Sequence, residues 1–146
     1  MESTSKKIDF VALVSSDKIT LSSNPLVEID IISSGIHRNG LLLLQSKLGW
    51  DTCTLSKAIG SSAEIAKLEA NTSNVLNPMV SENLVELAKI TSICVDYFQD
   101  IKRWNIWLNE PNLKFNNKKP ISVIHTIRGR MLIRQIVNGL KHGFTA

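Results

Sequence analysis

At 146 residues with 43% hydrophobic and 21% charged side chains, the chain is long enough to bury one core, or two small ones, without covalent staples. Its two cysteines, Cys53 and Cys94, lie far apart and outside any CxxC or Cys/His array, which argues against a disulfide framework or a zinc site and suits plain thiols of a cytoplasmic protein. A net charge of +4 permits an acidic or nucleic-acid partner without demanding one, and no apolar run is long enough for a membrane span.

Residues 1–24, rich in Ser, Thr and Lys, hold two short apolar patches, Phe10 to Val14 and Ile19 to Leu21, with no sustained period, so a frayed arm, or one ordered on contact, is expected. From Leu26, Val27, Ile29 and Ile31 alternate with Glu28 and Asp30, locally the pattern of a strand, yet no other stretch offers it a partner. In GLLLLQSKLGW, Leu41, Leu44 and Leu48 recur at i, i+3, i+7 while Leu42 and Leu43 widen the stripe. That helix is either buried or part of a homodimer contact. Thr54 to Leu68 outlines a helix-turn-helix: a helix before Gly60, then a second capped by Ser61 or Ser62. If it reads DNA, Lys57, Ser61, Ser62 and Lys67 are its candidate contacts. Between Gln45 and Val95, however, there is no arginine, and four lysines face five acids. Phosphate contacts need cations, so a helix pair kept only as scaffold competes evenly with a DNA reader.

A polar connection from Asn71 to Pro78 separates the two halves. The best-patterned helix follows, with Ser81 as its cap, Glu82 at its positive end, and Leu84, Leu87, Ala88, Thr91, Val95 and Phe98 on one face. Nine of the 17 Lys and Arg fall between Asp96 and Ala146 against three acids, so this end carries +6 and the remainder −2. Asp100 caps a helix in which Trp104, Trp107 and Leu108 share a face, more a core stripe than a stacking platform, ending before Pro111. Pro120 suits the first position of a short helical turn. In the last helix Ile133, Ile136, Val137 and Leu140 face inward, Arg128, Arg134, Asn138 and Lys141 outward, and Gly143 stops it. No converging set of acids, bases or nucleophiles suggests an enzyme, and His37, His125 and His142 are scattered.

The ordered set Asp100, Trp107-Leu108, Pro111-Asn112, Pro120, Thr126, Gly129 and His142-Gly143 resembles the C-terminal toxin-binding domain of Xre/MbcA/ParS antitoxins, and VSENLVELAKI resembles the helix that opens it. The resemblance covers about Val80 to Ala146, and Gly35 to Met79 more loosely. It departs at Trp104, where relatives carry a small residue, and at Lys119, where they favour a capping hydroxyl. It implies an all-α protein: an arm over 1–24, a helix-turn-helix-like bundle over 25–78 in which Leu26 to Gly35 is a helix, and a toxin-binding domain over 79–146. Asp100, Trp107, Leu108, Pro111, Pro120 and Gly129 would be its structural residues. The implied function is neutralisation of a RES or ADP-ribosyltransferase-like, NAD-directed toxin by binding rather than catalysis, with neither cofactor nor metal. A homodimer and repression of its own operon through operator DNA go with it. The implied contact is Arg128, Arg130, Arg134, Lys141, His142, Gly143, Phe144 and Ala146. The competing reading is a helix-turn-helix transcription regulator whose C-terminal part serves dimerisation.

Overall fold

The computed structural model describes residues 7–61 and 74–143, and among these every regular element is helical. Seven α-helices follow in order: α1 Phe10–Ser15, α2 Pro25–Ser34, α3 Arg38–Leu48, α4 Thr52–Ile59, α5 Pro78–Phe98, α6 Ile101–Leu108 and α7 Ile127–Lys141. Two 3-10 turns, Leu113–Phe115 and Pro120–Val123, connect α6 to α7. The expected second helix of the helix-turn-helix, with Ser62 and Lys67, lies outside the described residues.

The long helix α5 is the axis of the fold: α1, α2 and α4 pack on it from the N-terminal half, α6 and α7 from the C-terminal half. Leu84, Val85, Leu87 and Ala88 are fully buried along it. One core cluster runs from Phe10 through α5 to Val137, so the two halves share their interior. The cap of α5 differs from expectation. Asn77, followed by Pro78 at the first helical position, takes the Val80 N–H on its side-chain oxygen at 2.9 Å. Ser81 sits a turn further in, fully buried, where its Oγ accepts the Ile36 N–H at 2.8 Å and donates to the Leu76 carbonyl at 3.3 Å. It ties the connection before α3 to the start of α5.

The opening residues also depart from expectation. Phe10 and Val11 are fully buried and Val14 and Ile19 nearly so. Asp9 caps α1 through the Ala12 N–H, and Ser92 Oγ on α5 accepts the Phe10 N–H at 2.8 Å. A six-residue helix buried on most of its surface shows no periodicity to read. Gly40 lets α3 meet α1 closely, since a Cβ there would stand 2.0 Å from the Val14 carbonyl oxygen.

The alternating segment after Leu26 is helix α2, begun by the Asn24 cap and Pro25. Its apolar residues do not all turn inward: Leu26, Val27 and Ile29 are exposed, whereas Glu28 is buried and receives a 3.0 Å charge-assisted bond from Lys89 of α5. A buried carboxylate needs such a partner, and this pair fixes which side of α2 faces α5.

Candidate functional site

The C-terminal part is built on local capping. Asp100 Oδ1 accepts the Arg103 N–H to start α6, after Gln99 in the left-handed conformation turns the chain out of α5. Trp104 and Leu108 are fully buried. Trp104 stacks on Trp107 with ring centres 5.8 Å apart, Phe98 lies 6.0 Å and 5.7 Å from the two, and Trp107 meets Phe115 edge-on at 5.9 Å. This aromatic cluster joins α5, α6 and the first 3-10 turn, a core role for both tryptophans. Among the described residues the Trp104 indole N–H has no partner, the polar cost of placing so large a ring there.

Trp50 adds a latch from the N-terminal half: its indole N–H donates to Asn105 Oδ1 at 2.7 Å, and Asn105 Nδ2 donates to the Leu48 carbonyl at 2.9 Å. Pro111 is exposed in the connection after α6. Pro120 is buried at the first position of its 3-10 turn, and Lys119 before it makes no side-chain cap. Thr126 caps α7, its Oγ1 accepting the Gly129 N–H at 2.8 Å and donating to the Val123 carbonyl at 3.0 Å. Gly129 has to lack a side chain, because a Cβ would come within 1.8 Å of that same Val123 oxygen.

Helix α7 has two unlike faces. Ile133 and Val137 are buried, while Arg128, Arg134, Asn138 and Lys141 are exposed, as are His142 and Gly143 beyond the helix. Phe144 and Ala146, expected beside them, lie outside the described residues. Arg130 does not join the exposed cations. It is only 7% exposed, and Nη1 donates to the Ile124 carbonyl at 3.1 Å, tying the second 3-10 turn to α7. Burial lowers its pKa from the ordinary guanidinium value, and Glu86 and Glu82 of α5 act in the opposite direction. The signal was present in the sequence: Arg130 precedes Ile133 and Val137 by three and seven residues, which puts it on their face.

Two residues outside the charge-based reading stand out. Ile127 and Met131, one turn apart on α7, are 72% and 61% exposed. They flank a shallow groove completed by Ile90, Glu86, Arg130 and Arg134. Apolar side chains set among arginines are the composition of an interface centre rather than of a solvated helix face.

Lys57 is exposed at the end of α4, and Ser61 follows the left-handed Gly60 that closes the helix. Among the described residues no three His, Cys, Asp or Glu side chains gather as a metal site would require, and no helix is long and apolar enough to cross a membrane.

No curated protein matches the chain. Against known families, residues 95–143 match the antitoxin Xre/MbcA/ParS C-terminal toxin-binding domain, a span running from the last turn of α5 through the aromatic cluster to the end of α7.

Proposed function

We propose that this chain is an antitoxin that neutralises a toxin protein by occupying it through the exposed face of α7. The family match over residues 95–143 carries the reading. The exposed cations Arg128, Arg134 and Lys141 and the apolar pair Ile127 and Met131 support the choice of face. Arginine makes forked, charge-assisted hydrogen bonds to carboxylates, and an exposed isoleucine and methionine on a helix offer apolar area to bury against a partner. His142, Gly143, Phe144 and Ala146 extend the contact at the chain end. Arg130 supports it from beneath by holding the Ile124 carbonyl.

The partner we propose is a RES or ADP-ribosyltransferase-like toxin that acts on NAD. The test is co-expression with the product of the neighbouring gene, comparing the full chain with one ending at Gly139. The full chain should restore growth and cellular NAD and co-purify with the toxin; the shortened chain should do neither. Equal rescue by both would overturn the placement of the contact, and rescue by neither would overturn the antitoxin reading.

A regulator that reads DNA is the second reading, favoured by the α4–Gly60–Ser61 outline of a first helix and turn. Repression of the chain's own operon would combine the two. Titration with operator DNA separates them, because specific binding by the free protein, falling steeply with salt, belongs to the regulator.

A further inference from the structure

A cleft of about 500 Å³ lies between the N-terminal helix α4 and the connection that leads into α7. Helix α4 contributes Thr54, Lys57 and Ala58; Asn109, Ser122 and His125 come from the other side, over a floor of Ile121 and Ile124. The volume falls within the range of small-molecule sites, which pair an apolar floor with a few convergent polar groups. Ala58 and Ile124 are almost wholly buried, while Lys57 and His125 stand exposed at the rim.

The ionisable lining groups have one electrostatic sense. Among the lining residues there is no acid, and two side chains, Lys57 and His125, can carry positive charge. Neither side chain makes a hydrogen bond or ion pair among the described residues. Asp51, whose carboxylate feels Lys57, is committed to capping α4, with Oδ1 taking the Thr54 N–H at 2.7 Å. The Asn109 amide nitrogen donates to the Asn105 carbonyl at 2.8 Å.

We propose that this cleft binds a small organic anion, a carboxylate or phosphate monoester with a compact apolar body, its charged head held by Lys57 and His125 and its body resting on Ile121 and Ile124. Such a ligand touches both α4 and the residues that lead into the toxin-binding face, so its binding joins the two halves of the molecule at their surface. The cleft shares no lining residue with the groove beside Ile127 and Met131, and its proposal does not depend on what the face of α7 binds.

The test is a titration of the full chain, followed by amide chemical shifts, with phenyl phosphate, benzoate and the neutral analogue benzyl alcohol. Phenyl phosphate or benzoate should shift the amides of residues 54–58 and 121–125 saturably, and benzyl alcohol should not. Which of the two anions binds more tightly distinguishes a phosphate head from a carboxylate. Lys57→Met and His125→Phe, both at exposed positions that leave the fold intact, should each weaken the anion by roughly tenfold, the loss of one charge-assisted bond. Lys57→Arg should retain it. Equal shifts with benzyl alcohol, shifts confined to the cations of α7, or unchanged binding in both variants would each overturn the site.

Discussion

Replacing Gly129 with Ala should destabilise the protein, although the same change inside a helix usually does the reverse. On helix propensity alone it would gain about 1 kcal/mol. Here the new methyl would lie 1.8 Å from the Val123 carbonyl oxygen and 2.7 Å from Thr126 Oγ1. Neither atom is the free end of a flexible side chain. The carbonyl is backbone that also accepts the Thr126 N–H at 3.1 Å, and the hydroxyl is the cap of α7. Relieving the clash therefore moves the turn before α7 and breaks the cap. Overpacking costs about 1–3 kcal/mol and a lost cap about 1 kcal/mol. Set against the propensity gain, the net loss is about 2 kcal/mol, or about 4–8 °C in Tm for a chain of this size. Thermal unfolding followed by circular dichroism reads it directly, with Asn138→Ala on the exposed face of the same helix as the control, expected to be neutral or slightly stabilising. A Gly129→Ala protein as stable as the parent would refute the close approach and the description of this turn.

Asn105→Ala should remove the Trp50 latch, costing about 1–3 kcal/mol because the indole N–H and the Leu48 carbonyl both lose their partner; the Trp50 indole proton should then exchange faster in NMR while the other indole protons keep their rates. Cys94 is buried on α5, and burial pushes its thiol up to about 12, against which the charges of Arg134 and Lys141 act only partly. At pH 8 a thiol reagent should therefore titrate the exposed Cys53 rapidly and reach Cys94 only in denaturant; two fast thiols would contradict the packing of α5 against α7. Arg130→Ala should lower stability by about 1–3 kcal/mol by orphaning the Ile124 carbonyl, whereas Arg134→Ala on the exposed face should change it by less than about 0.5 kcal/mol, and equal effects would dismiss the distinction between the two arginines. If Leu42 and Leu43, both more than two-fifths exposed on α3, form a contact between two copies, sedimentation of Leu42→Glu/Leu43→Glu should give a monomer where the parent gives a dimer; a parent that sediments as a monomer would refute that contact.

What could be foreseen from the chain was local. Asp100 starting α6, Pro120 opening its turn and the stop of α7 before Gly143 depend on residues within one helical turn of each other, and caps of that kind are written in adjacent letters. What was missed depends on contacts distant in sequence. Ser81 looked like a cap because it precedes Glu82 and an apolar run, but Ile36, 45 residues earlier, claims its hydroxyl, and Asn77-Pro78 takes the capping role. The apolar patch Phe10 to Val14 was too short and too evenly apolar to show a period, and only packing against α3 and α5 makes it core. The alternation after Leu26 imitated a strand because Glu28 occupies an inward position, which its distant partner Lys89 makes tolerable. On α7, charge drew attention to Arg130, whose spacing to Ile133 and Val137 marks it as inward. The same emphasis on charge passed over Ile127 and Met131, two apolar residues left uncovered between arginines.

The most direct measurement is the affinity of the proposed partner, the product of the neighbouring gene, for the full chain and for Arg128→Glu/Arg134→Glu, with thermal unfolding of both forms of the chain alongside. Both positions are exposed, so the variant should unfold at the parent's temperature. If the face of α7 is the seat of the toxin, its affinity should fall by at least about a hundredfold, since each reversal loses a charge-assisted pair and sets like charges against each other, and the parent's binding should weaken with salt. A folded variant that binds and neutralises the toxin as tightly as the parent would contradict the placement of the interface on this helix.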